Sequence, residues 1–179
     1  LEYFLETDRV KFDIDESDKL LTLNEWQEAA FKEINLNLDQ GDVCLLHGVT
    51  SSGKTEIYIK LIEAVIAKGE QVLYLLPEIA LTSQLVQRLQ TYFGEQVLVY
   101  HSKYSVNERM EIYNHVLQSN EKAKVILGAR SSIFLPFQNL GLIVVDEEHE
   151  STFKQYDPAP RYNGRDAAVV LANFHKAKV

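Results

Sequence analysis

Cysteine, methionine and tryptophan each occur once in these 179 residues, and proline only four times. A lone thiol, Cys44, excludes an internal disulfide and leaves a cysteine-built zinc site without ligands. It suits a reducing compartment, so a cytoplasmic location is expected. No apolar run approaches the roughly 18 residues of a membrane-crossing helix. No signal peptide is visible, and no membrane partner is expected. Internal repeats and low-complexity stretches are also missing. The chain starts at Leu1 and its only methionine is Met110, which leads us to expect a piece of a longer protein.

Net positive charge is lacking too. The formal charge is −8, which argues against a nucleic-acid binder until its distribution is considered. The first fifty residues hold twelve acids and four bases, and the remainder holds fourteen of each. The acidity therefore belongs to the lead-in, and the rest is free to carry a local basic groove.

Apolar runs alternate with helix-like segments. Residues 1–21 read as an acidic linker with one short strand at Val10–Ile14, and residues 22–179 as one domain. Asn24 and Gln27 have capping-box spacing, so a helix starts there and stops near Gly41. Strands are expected at Asp42–His47, Val72–Leu76, Val97–Tyr100, Lys124–Leu127 and Leu142–Val145. Helices are expected near 54–67, 80–93 and 105–118, with a last one from about Gly164 to Phe174. Leu81, Leu85, Leu89 and Phe93 repeat every four residues, and Ser105 with Glu108 forms a second capping box. This alternation predicts an α/β fold: a mostly parallel sheet with helices on both faces.

Gly48-Val49-Thr50-Ser51-Ser52-Gly53-Lys54-Thr55 fits G-x-x-x-x-G-K-[ST], a phosphate-binding loop set between a strand and a helix. Glycines let the backbone curl so that successive N–H groups face phosphate oxygens at a helix N-terminus. Lys54 would place an ammonium on the β- and γ-phosphates, and the Thr55 hydroxyl would bind Mg²⁺. ATP and Mg²⁺ are therefore the expected cofactors. Leu142–Val145 leads into Asp146-Glu147-Glu148-His149, a hydrophobic strand ending in acids. Asp146 would hold Mg²⁺ through water. Glu147 would polarise the attacking water or accept its proton. Lys54, Asp146 and Glu147 are the candidate catalytic set.

The D-E-x-H form resembles the box of superfamily 2 helicases and translocases. Leu23-Asn24-Glu25-Trp26-Gln27, Leu76-Pro77-Glu78-Ile79-Ala80-Leu81-Thr82 and Gly128-Ala129-Arg130-Ser131-Ser132-Ile133-Phe134-Leu135-Pro136-Phe137 add to it. Together they resemble the primosomal protein N′ family, the PriA-type replication-restart DNA helicases, from about Leu23 onward. The resemblance implies a RecA-like P-loop NTPase lobe, the first of two. It implies ATP-driven 3′→5′ movement on single-stranded and forked DNA, with other primosome proteins as partners. It places motif III, arginine fingers and a zinc module beyond this chain, so zinc is expected only there. On that basis the isolated chain binds ATP but hydrolyses it poorly.

The resemblance also assigns roles. Gln27 is a candidate adenine contact, with completion of a helix cap as the equal alternative. His149 would couple the nucleotide site to DNA, the alternative being a polar residue at a turn. Thr82, His101, Ser102, Arg130 and Ser131 lie in loops that would face DNA phosphates, although Thr82, Ser102 and Ser131 also suit simple caps or turns. Phe153, Lys154, Tyr156, Arg161 and Tyr162 fall in a proline-containing loop that interleaves aromatic and basic residues. Rings there would stack on bases and cations would meet phosphates. The alternative is a hydrophobic loop packed against the domain, or against a missing second domain. A P-loop kinase, a nucleotide-gated binding module without turnover and a double-strand translocase are the rival readings.

Overall fold

The computed structural model describes residues 21–49 and 52–179. The strand expected at Val10–Ile14, most of the acidic lead-in, and Thr50 and Ser51 lie outside the described residues.

Among the described residues, five α-helices and four strands alternate much as the sequence pattern predicts. Helix α1 spans Glu25–Gln40, α2 Lys54–Ile66, α3 Ser83–Phe93, α4 Val106–Leu117 and α5 Gly164–His175. Strand β1 spans Gln71–Leu75, β2 Val97–Tyr100, β3 Val125–Gly128 and β4 Leu140–Val145. Both capping boxes form, at Asn24 with Gln27 and at Ser105 with Glu108, and Gly41 ends α1. Helix α3 starts later than its apolar period suggests. Thr82 caps it by accepting the Leu85 N–H, while a short 3₁₀ turn occupies Glu78–Ala80.

All strand pairs are parallel, in the order β2-β3-β1-β4. Leu75 is in register with both Gly128 and Val145, so the strands end at one common edge. The order reverses around β1, and the crevice beyond such a reversal is where open α/β sheets bind ligands. Strand residues alternate between two cores. Val72 and Tyr74 join α1, α2 and α3 on one face, and Leu73 and Leu75 join α4 and α5 on the other. Burial on both faces explains why these strands read as continuous apolar runs.

One expected strand needs correction. Asp42–His47 forms no regular strand, and Val43 and Leu45 are exposed. Residues near the C-terminus lie between it and β4: the Ile143 N–H donates to Lys178 O and the Lys178 N–H to Gly141 O. Among the described residues, its backbone pairing runs through Val179, which accepts from the Cys44 N–H and donates to Asp42 O, and the Lys178 ammonium adds a bond to Asp42 Oδ1. Two backbone hydrogen bonds do not make a ladder, whatever the β propensity of the sequence.

The opposite end of the sheet is locked by a polar side chain. Gln71 is fully buried. Its Nε2 donates to Val116 O and Ala123 O at 3.1 Å each. Its Oε1 accepts the N–H groups of Gln138 at 3.0 Å and Asn139 at 3.3 Å. Gln71→Leu strands these groups in a dry site, so the unfolding free energy should fall by about 1–3 kcal/mol. A denaturant melt with wild-type midpoint and slope would show that the network contributes nothing.

Candidate functional site

The common strand edge gathers the phosphate loop and the acidic box. Gly53 sits at φ 82°, in the left-handed region, and precedes α2 directly. A side chain there would be strained and would strike the Gln27 amide. The Gln27 Oε1 accepts the Asn24 N–H, and its Nε2 donates to Gly53 O at 3.2 Å. The cap alternative is thus realised, and the same amide also braces the phosphate loop. Lys54 reaches back across that loop, its Nζ donating to Gly48 O at 2.9 Å and Val49 O at 3.1 Å. The apolar face of α2, with Ile57, Tyr58, Leu61 and Ile62, fixes the helix against the sheet.

Asp146 follows β4 and extends its pairing by one bond, from its N–H to Leu75 O at 2.9 Å. Both carboxylate oxygens are held. Oδ1 accepts the Glu147 N–H at 3.1 Å, and Oδ2 accepts the Tyr74 hydroxyl at 2.9 Å. Tyr74 is fully buried, with Tyr58 edge-on at 5.8 Å. Burial, reinforced by the Asp146 charge, pushes both phenols well above their ordinary range, so Tyr74 remains a donor to Asp146.

Glu147 has φ 49°, a left-handed conformation that a non-glycine residue adopts only where its surroundings hold it. His149 Nε2 lies 3.8 Å from Glu147 Oε2. Glu148 accepts from Arg165 of α5 at 2.8 Å, a bond that raises the guanidinium pKa. A polar cavity of about 370 Å³ is walled by Ser52, Gly53, Lys54, Thr55, Glu56, Arg88, Asp146 and Glu147. A larger, mainly apolar cleft of about 480 Å³ runs between the Val43–Gly48 segment and β4. The lysine, the threonine and both acids converge on the smaller cavity.

The family model for DEAD/DEAH box helicases matches residues 24–165, which include both motifs. The chain belongs to this family. Replication restart protein PriA of Bacillus subtilis is 46% identical over 161 residues, covering 89% of this chain. PriA of Rickettsia conorii is 45% identical over 157 residues, covering 88% of the chain, and PriA of Synechocystis is 48% identical over 132 residues, covering 74%. The chain spans only 20%, 23% and 16% of those relatives, respectively. Among solved structures, the C-terminal part of the Fun30 ATPase domain aligns with a TM-score of 0.42 at 14% identity. That alignment covers 80% of this chain and 44% of the other, and is too loose to carry an argument.

In this helicase lobe the loops expected to face nucleic acid divide into accessible and committed residues. Tyr156 and Arg161 are exposed, as are Thr82 and Ser102. Thr82 is the α3 cap, and Ser102 donates to Glu78 Oε1 at 2.8 Å. Ser131 is half-buried. Two expectations are corrected. Phe153 is 1% exposed and packs in the α5 core, because the short turn at Ser151–Phe153 points it inward. His101 is 5% exposed, and its Nδ1 accepts the Lys103 N–H. Neither can touch a nucleic acid directly in this arrangement.

Arg130 is committed to the aromatic loop. It donates to Thr152 O and Lys154 O and lies over the Tyr162 ring at 5.7 Å. Phe134 meets the same ring edge-on at 5.2 Å. Lys154 donates to Arg161 O, and Gln155 ties the loop through Pro158 O and Pro160 O. Part of the loop is therefore packed, as the alternative reading held, and Tyr156 with Arg161 forms its accessible tip.

Sequence reasoning missed Tyr74, Glu56 and Arg88. Tyr74 reads as one more apolar strand residue. Glu56 and Arg88 pair across 32 positions, a separation that no local period reports.

Proposed function

We propose that this chain is the ATP-binding lobe of a replication-restart DNA helicase that moves 3′→5′ on single-stranded DNA. The observation that carries this reading is the convergence of Lys54, Thr55, Asp146 and Glu147 on one cavity at the sheet edge. The PriA relatives supply the replication-restart context.

Magnesium fits the donors present. The Thr55 hydroxyl and the Asp146 carboxylate are hard oxygen donors, and Mg²⁺ in nucleotide sites takes one or two such groups beside phosphates and waters. Bound there, it would neutralise charge on the phosphate oxygens. Tyr74 and the Glu147 N–H hold Asp146 in place for that role. Lys54 would trade the Gly48 and Val49 carbonyls for phosphate. Glu147 would orient the attacking water and take its proton. Lobes of this kind are completed by an arginine from elsewhere, worth a factor of roughly 10³–10⁵. The chain alone would therefore hydrolyse ATP slowly.

The route from DNA to the acids would start at Tyr156 and Arg161. It would pass through the braced loop to α5, where Arg165 holds Glu148, and through His149 beside Glu147. In the full-length protein, Tyr156→Ala should blunt ATPase stimulation even at saturating single-stranded DNA, with DNA-free turnover as the reference. Affinity should drop by the equivalent of about 1–3 kcal/mol for one stacked base. Arg161→Ala should instead flatten the salt dependence of binding, since a phosphate contact releases counterions. Full stimulation by the Tyr156 variant would make the tip a packing element. A P-loop kinase would show no response to DNA in either protein.

A further inference from the structure

The phosphate cavity has a second cation that the motifs do not account for. Its lining includes Glu56, Asp146 and Glu147, and only two positive side chains, Lys54 and Arg88. A nucleoside triphosphate brings more negative charge to a wall that already holds three carboxylates. One ammonium is a weak answer to that density, while a planar guanidinium matches phosphate oxygens in pairs. Arg88 comes from α3, an element that contributes nothing else to this cavity.

The present partner of Arg88 is Glu56, whose Oε1 accepts from one terminal guanidinium nitrogen. The pair is not a closed structural fork. Glu56 Oε2 is buried, has no hydrogen-bond partner and lies against Gly53 of the phosphate loop. The Arg88 side chain is 42% exposed. A half-exposed, single-bond pair contributes little to stability, so exchanging it for a better anion is easy.

We propose that Arg88 is a nucleotide-state residue: its guanidinium exchanges Glu56 for the terminal phosphate of a bound nucleoside triphosphate. This rests on the phosphate-loop reading and extends it to an element outside the motifs. Arg88 then distinguishes triphosphate from diphosphate, and that distinction is delivered to α3.

The test compares ATP and ADP affinities by fluorescence titration and by thermal shift, for wild type, Arg88→Ala, Arg88→Lys and Glu56→Gln. Arg88→Ala should weaken ATP by about 10–100-fold, the loss of one charge-assisted contact, and leave ADP within about threefold. Arg88→Lys should fall between, because the charge remains without the fork. Glu56→Gln should keep or tighten ATP binding, since it releases the guanidinium. Equal losses for both nucleotides in Arg88→Ala, or no loss, overturn the proposal. So does a Glu56→Gln variant that loses ATP as Arg88→Ala does, for that marks a purely structural pair. If Arg88→Ala fails to fold, Arg88→Lys and Glu56→Gln decide alone. A wild type that binds neither nucleotide defeats the phosphate-loop reading itself. A wild type that binds both, with variants that do not discriminate, defeats only the role of Arg88.

Discussion

Glu147→Gln in the full-length protein should leave ATP binding intact and lower hydrolysis by about 10²-fold or more. The substitution keeps the size of the side chain and its left-handed backbone, so the loop after β4 keeps its shape. Only the carboxylate goes, and an amide neither accepts the proton of the attacking water nor carries negative charge toward it. Asp146 is untouched, because Tyr74 and the backbone N–H of residue 147 still hold both of its oxygens. Steady-state ATPase with a parallel nucleotide titration separates the two effects. Turnover within a few-fold of wild type would strip Glu147 of its role.

Lys54→Ala should abolish most of the thermal stabilisation that Mg-ATP gives the wild-type chain. A ligand at a hundred times its Kd adds about 2.7 kcal/mol to a native state that alone binds it. Removing the one ammonium that spans the phosphate loop should bring that gain close to zero at the same ligand concentration. The ligand-free melt should barely move. The two bonds Lys54 makes go to exposed carbonyls of Gly48 and Val49, which water can satisfy in its place. An equal shift in both proteins would put the phosphates elsewhere.

Local signals in the sequence located most of the fold. The capping boxes, the four-residue apolar spacing of α3 and the buried runs of β1 and β4 each report a period that packing then respects. The candidate phosphate loop and the acidic box stand out as short strings, and the fold brings them to one cavity at the sheet edge. Three things were not legible. Asp42–His47 has strand-like residues, but a strand also needs a paired neighbour, and pairing is not a local property. Phe153 has the composition of a base-stacking residue, yet a 3₁₀ turn directs it into the core. Tyr74 and Arg88 acquire meaning only where the sheet and α3 bring them beside Asp146 and Glu56.

Gln71 divides the molecule mechanically. At its end of the sheet, a single amide occupies four backbone groups from α4 and the two connections that flank β3, and none can leave without exposing an unpaired partner in a dry site. At the other end, beyond the buried Tyr74–Asp146 bond, several contacts run from long side chains to carbonyls nearer solvent: Lys54 to the phosphate loop, Gln27 to Gly53, Lys154 to Arg161. Such bonds can be traded one for another without opening the core. The sheet therefore works as a clamped cantilever. A ligand at the proposed nucleotide site should therefore rearrange the rim and leave the base unchanged.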